Sequence, residues 1–149
     1  MKTVLETLNK LSGGYQPQVH LPVVTPINEL CDRLTIAILK YERLPPEELE
    51  QDLLKKQIRY YANGLTRTDE KLMDLLDRLY TINGEMWDAE HAIRQGLDDN
   101  LGLEEIGRRA IQIRDKNRVR VAVKNEIADY CGQSEFLDCK MNHISDATK

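Results

Sequence analysis

The chain has 149 residues, of which 41% are hydrophobic, and a formal net charge of −4. That length is enough to bury the core of one domain without disulfides or a structural metal. The negative balance argues against a protein that coats nucleic acid, because no basic excess neutralises phosphates, although a local basic patch stays open. Only 5% of the residues are aromatic and 8 are glycines, which favours an all-α protein over a β-sandwich or barrel.

The cysteines indicate the compartment. Cys31, Cys131 and Cys139 are odd in number and widely spaced, which suits a reducing cytoplasm better than a disulfide framework. The series formed by Cys131, Cys139 and His143 lacks the short cysteine pairs of structural zinc sites, so we expect neither a metal nor another cofactor. No long apolar run follows a charged start, so we expect a cytoplasmic protein without a signal peptide or membrane span.

Residues 1–25 are predicted to form a short helix and an extended arm. Apolar residues recur at helical spacing over residues 2–11, and the pair Gly13-Gly14 ends that helix. Two prolines and several β-branched residues then favour an extended arm whose apolar side chains need a partner surface. The arm either lies across its own bundle or is exchanged between subunits.

Residues 26–132 are predicted to form a helical bundle, followed by a polar, weakly patterned tail at 133–149. Apolar residues recur at spacings of three and four through each helix. The two long helices are expected to pack antiparallel through a coiled-coil-like seam. The predicted helices span residues 26–43, a segment that opens at Pro45-Pro46 and ends at Asn63-Gly64, residues 68–97 and residues 103–131.

The first of these helices is apolar on more than one side, which predicts a central position in the bundle. The dipeptide Thr25-Pro26 is a favourable start, with a capping hydroxyl followed by proline. Glu29 and Arg33 lie on another flank, which we interpret as a solvated face with an i,i+4 ion pair.

Charged and amide side chains interrupt the seam of the two long helices. On the fourth helix they lie within about 40° of the centre of the apolar stripe, and on the third they lie on it or beside it. If the helices pack antiparallel, residues 83–94 come opposite roughly 113–124, and the polar residues meet in one place. The set comprises Asn83, Trp87, Glu90, Arg94, Asn117, Arg120 and Lys124.

Such a cluster near a core needs partners, because each unpaired charge costs several kcal/mol. Glu90 offsets one cation and leaves a positive excess that suits phosphate or carboxylate, while Trp87 can stack on a base or sugar. We therefore predict a non-catalytic protein that holds an anionic phosphorylated small molecule, such as a nucleotide or nucleotide-sugar, to sequester or sense it. The alternative is a buried salt-bridge network that fixes the register between helices, or long stems that reach out to water.

These residues also carry a resemblance. Residues 27–36, the motif Asn83-x3-Trp87-x2-Glu90-x3-Arg94 and the motif Arg114-x2-Asn117-x2-Arg120-x3-Lys124-x2-Ile127 are similar to a family of uncharacterised small helical domains. The family occurs in bacteria and their phages, sometimes beside sugar-transfer proteins. The resemblance covers about residues 26–132 and implies an all-helical fold with a shared polar cluster, but no activity. The chain departs from the family at Ala89-Glu90-His91, where the family has a more acidic pair.

Two other functions stay open. A MazG-like, Mg²⁺-dependent nucleotide pyrophosphohydrolase would need paired carboxylates on neighbouring helices to hold the metal against phosphates. The second is an interaction protein whose seam and arm make a homo-oligomer. The enzyme is disfavoured because the predicted pocket is cationic, and because the candidate carboxylates lie outside the seam, at Glu47/Glu50, Glu85/Asp88 and Glu126/Asp129.

Overall fold

The computed structural model describes residues 25–45, 47–65, 67–98 and 100–138. The predicted all-α bundle with two long helices is confirmed. The predicted N-terminal helix and arm, together with Cys139 and His143, lie outside the described residues. The helices are α1 (Ile27–Arg43), α2 (Glu48–Asn63), α3 (Glu70–Asp98) and α4 (Leu103–Tyr130), and a 3₁₀ turn follows at Ser134–Phe136.

Helix α1 is central, as its apolar pattern predicted, and it packs against all three of the other helices. Leu79 of α3 and Ile127 of α4 are fully buried in the same core as Cys31 of α1. Helix α2 packs against α1 and buries Leu54. The core is therefore built mainly by three helices, with α2 on the outside of α1.

The N-terminus of α1 is capped from the far end of the chain rather than by Thr25. Pro26 precedes the helix and makes no side-chain capping bond. The amide of Ile27 donates instead to the side-chain oxygen of Gln133 at 2.8 Å. This bond satisfies one of the donors that every helix leaves open at its first turn.

Helices α3 and α4 run antiparallel, and three side-chain links define their register. Arg78 bonds Glu126 at 2.7 Å, and Lys116 bonds Glu85 at 2.7 Å. The guanidinium of Arg109 donates to the backbone carbonyl of Ala92. Partner positions descend along α4 as they ascend along α3, as an antiparallel hairpin requires.

The outer half of this hairpin extends beyond α1. Helix α1 ends where Arg43 donates to the carbonyl of Gly84 at 3.3 Å and pairs with Asp88 at 2.7 Å. From there α3 continues for about 15 Å at 1.5 Å per residue. Among the described side chains, none is buried in α3 after Gly84 or in α4 before Val123. Across the described ranges, no helix is both long and apolar enough to cross a membrane.

Candidate functional site

Asp32 of α1 is the centre of a buried polar network. Asp32 is only 3% exposed. Both of its carboxylate oxygens accept hydrogen bonds from the guanidinium of Arg120, one of them at 2.9 Å. The amide of Asn83 donates to the same carboxylate and to the hydroxyl of Thr35, each at 3.0 Å. The hydrogen bond to Asp32 is the main cause that raises the pKa of Arg120 above its usual value. One carboxylate thereby joins α1, α3 and α4.

Lys124 forms the second half of the network, one turn further along α4. Its ammonium bonds Glu29 of α1 at 2.5 Å and Asp138 at 3.0 Å, and the residue is 5% exposed. Burial lowers the pKa of Lys124, but the hydrogen bonds to the two carboxylates outweigh burial, so the net pKa is raised. Glu29 thus pairs with Lys124 and not with Arg33, so the predicted solvated ion pair is wrong.

Residues 133–138, which we name the C-terminal strap, hold Asp138 over Lys124. The amide and carbonyl of Asp138 bond the side chain of Asn125 at 2.8 and 3.3 Å. Asn28 of α1 donates to the carbonyl of Phe136 at 2.9 Å. The strap therefore crosses the start of α1 and closes the network from outside. It lies in the stretch that the sequence assigned to a polar tail.

The network, hereafter the polar cluster, carries one more acid than base. Its two cations face three carboxylates, whereas the sequence predicted a positive excess around Glu90. Every buried side-chain nitrogen and oxygen in the described part of the chain has a hydrogen-bond partner. The arrangement can lock three helices in one register, because a slip of one turn would break several charged bonds together. Its members are Glu29, Asp32, Thr35, Asn83, Arg120, Lys124 and Asp138.

The structure brings together four of the seven residues predicted for the site. Asn83, Arg120 and Lys124 are in the polar cluster, and Asn117 lies at its edge, where its oxygen accepts a bond from Arg120 at 3.2 Å. Lys116 lies opposite Glu85. The predicted antiparallel register set residues 83–94 against roughly 113–124, which places Glu85 opposite about residue 122. The observed register is therefore shifted by several residues.

The other three predicted residues lie apart from the cluster on the outer hairpin. Glu90 and Arg94 pair with each other at 3.8 Å, with side chains 52% and 78% exposed. The register places Glu90 level with about residue 111, roughly 13 Å along α4 from Arg120 at 1.5 Å per residue. Trp87 is half-buried and makes no hydrogen bond to any described residue. These three do not complete a pocket with the cluster.

Sequence reasoning missed the α1 and strap partners. Asn28, Asp32 and Thr35 recur at steps of four and three, and all are at most 3% exposed. That spacing puts a buried polar stripe on α1 beside its apolar positions and apart from its exposed charged residues. The stripe was the available signal, because a buried polar stripe must meet polar partners. No such sequence pattern indicated a role for Asp138.

The carboxylates proposed for a metal site do not converge. Glu85 bonds Lys116, Asp88 bonds Arg43, and Glu126 bonds Arg78. The bond to Arg78 is the main cause that lowers the pKa of Glu126. Within the described ranges no three histidine, cysteine, aspartate or glutamate side chains are grouped so that they could hold a metal ion.

The described cysteines are free thiols in protected surroundings. Burial raises the pKa of Cys31 to about 12, and burial also raises the pKa of the half-buried Cys131. Both thiols are therefore protonated at neutral pH, and a thiolate is the form that attacks or binds metal. They act as small apolar groups in the core.

A groove lies between α3 and α4 on the side away from α1. Thr81 lines it, and Thr81 is about 200° around α3 from Asn83, which faces α1. The groove has a volume of about 590 Å³ and a floor that includes Ile82, Val119 and Val123.

A scan against protein-family models, a search of curated proteins and a search of solved structures found no match to this chain. The resemblance to the family of small helical domains therefore stays a prediction.

Proposed function

We propose that this chain is a non-catalytic helical interaction module that works in a self-associated form. The supporting observation is the open hairpin formed by α3 and α4, where α4 buries no described side chain before Val123. Along the same helix the apolar side chains of Leu103, Ile111 and Val119 are 89%, 52% and 51% exposed. A helix pair that exposes apolar side chains gains stability when another element packs over them.

The polar cluster supports the same proposal. A register fixed by Asp32 and Arg120 gives the hairpin one defined surface, and self-association needs a surface that is the same in every copy. The best-attested use of buried charged or polar residues in helical proteins is to specify register.

The mass of the chain in solution tests the proposal. Sedimentation over a wide concentration range is expected to give species that are multiples of 17.2 kDa and that grow with concentration. Val119→Glu places a charge in the groove between α3 and α4 and is expected to shift the population towards the monomer. Arg94→Glu is the matched control, because Arg94 is exposed on the side of α3 roughly opposite to the groove.

A monomer at every concentration would overturn the proposal. An oligomer that is unchanged by Val119→Glu would move the contact to another surface.

The second candidate is the predicted binding of an anionic phosphorylated small molecule. One observation favours it: Asp138 reaches Lys124 from a peripheral strap, so a phosphate or carboxylate of a ligand could take its place. Nucleotides and nucleotide-sugars are then expected to raise the melting temperature of Asp138→Ala more than that of the wild type. Lys124→Met should abolish the shift. If no nucleotide or nucleotide-sugar raises the melting temperature of either the wild type or Asp138→Ala, this candidate is excluded.

A further inference from the structure

The groove on the open face of the hairpin is acidic at its rim. Asp74 and Asp77 line it, and neither has an ion-pair partner among the described residues. Its two cations are already engaged, because Arg78 bonds Glu126 and Lys116 bonds Glu85. An occupant must therefore bring positive charge to the rim and apolar surface to the floor, where Val119 is half exposed.

The chain itself carries a surface of that kind on α2. Leu53 and Tyr60 are seven residues apart on one side of α2, and they are 49% and 70% exposed. Lys56 lies between them and Arg59 beside them, both exposed. Leu54, about 100° around α2 from Leu53, is buried against the bundle. Because tyrosine supplies large contact area at low entropic cost, Tyr60 suits the centre of an interface.

From this complementarity we propose that α2 of one copy docks in the α3–α4 groove of a second copy. This inference rests on the proposed self-association and names its two surfaces. The dimensions agree: Leu53 to Tyr60 spans about 10 Å at 1.5 Å per residue, and the rim from Asp74 to Glu85 spans about 17 Å. Lys56 and Arg59 would then meet Asp74 and Asp77 across the rim.

The two surfaces lie on different faces of the molecule. Helix α2 packs against α1, and α1 and the groove are on opposite sides of the α3–α4 pair. A contact between different faces is head-to-tail, so it adds copies into a chain or a ring rather than closing a two-fold pair. Each copy would have one donor end and one acceptor end.

Blocking one end at a time tests this arrangement. Asp74→Lys with Asp77→Lys disables the groove, and Lys56→Glu with Arg59→Glu disables α2. All four residues are exposed, so each variant is expected to keep the helical circular dichroism and the cooperative unfolding of the wild type. Each variant alone is expected to sediment as a monomer. The equimolar mixture is expected to regain the assembly, because the basic α2 and basic groove of one variant face the acidic groove and acidic α2 of the other.

Two further variants sharpen the result. A chain with all four substitutions has its charges exchanged at both ends and is expected to regain the assembly. Tyr60→Ala is expected to weaken self-association about tenfold or more, as loss of a central interface residue does. The exchange Glu90→Lys with Arg94→Glu is the matched control, because it reverses charges on the outer hairpin away from the groove. It should leave the assembly unchanged.

The outcomes separate the inference from the proposal on which it rests. A wild type that assembles while neither end variant has an effect overturns the inference and leaves self-association standing. End variants that become monomers but form no complex on mixing also overturn it. A wild type that is monomeric throughout overturns both.

Discussion

Asp32 links three helices through one carboxylate, so its removal should cost more than the loss of any surface charge. In Asp32→Ala the guanidinium of Arg120 and the amide of Asn83 lose their shared partner. We expect a loss of about 3 kcal/mol in the free energy of unfolding. This is the lower end for a buried pair, because the side chain of Arg120 keeps an exposure of 23%. Urea denaturation measures the change.

Glu90→Ala is the control for that prediction, since Glu90 was placed in the same site by the sequence. Its pair with Arg94 is exposed, so its loss should change stability by about 0–1 kcal/mol. Equal losses in the two variants would contradict the assignment of Asp32 to a buried network and Glu90 to the surface.

Lys124 makes the stability depend on alkaline pH. Its folded pKa is raised above the usual 10.5, so the folded state holds the proton more tightly than the unfolded chain does. The contribution is full below 10.5 and is lost as the pH rises through the folded pKa. The difference in unfolding free energy between wild type and Lys124→Met should shrink above pH 10.5. A difference that stays constant with pH would show that Lys124 stabilises the fold by packing alone.

At the residue scale, the sequence predicted three of the seven members of the polar cluster. Arg120 and Lys124 were visible because they break an apolar rhythm on a long helix. Asp32 was hidden because α1 is apolar on several sides, so one polar stripe does not stand out against it. Asp138 was hidden for another reason: a strap docks by backbone bonds to Asn28 and Asn125, and these leave no periodic pattern.

At the element scale, the helices were predicted closely, because repeated spacing of apolar residues determines where a helix runs. The register between α3 and α4 was not, because it depends on individual cross-links such as Arg78 to Glu126 and Arg109 to Ala92. A shift of several residues in that register decided whether Glu90 belonged to the cluster.

Two glycines allow a test of helix α4 and of the turn after α2. A Cβ added at Gly107 in α4 meets nothing within 4 Å, so Gly107→Ala should stabilise the monomer by about 0.5–1 kcal/mol through helix propensity. A Cβ at Gly64 would lie 2.4 Å from a methyl of the buried Leu30. Gly64→Ala should therefore destabilise by about 1–3 kcal/mol. Thermal unfolding at low protein concentration measures both changes in stability. A change of the same sign in Gly107→Ala and Gly64→Ala would contradict the packing described.

At the scale of the whole molecule, association and stability should be coupled. A folded chain that assembles gains stability with concentration, because assembly removes folded monomer from the unfolding equilibrium. The melting temperature of the wild type should therefore rise with concentration, whereas that of Asp74→Lys with Asp77→Lys should stay constant. Scanning calorimetry at several concentrations checks this, and a rise of equal size in both would place the contact elsewhere.

The long reach of the polar cluster has a consequence for synthesis. Asp32 is 88 residues from Arg120, Glu29 is 95 from Lys124, and Asn28 is 108 from Phe136. A ribosome therefore releases α1, with the carboxylates of Asp32 and Glu29, long before their cations exist. Until α4 and the strap emerge, α1 must stay hydrated rather than commit to its final packing. The bundle closes only when the strap reaches α1, so a chain that ends before the strap is expected to leave an open, protease-sensitive bundle.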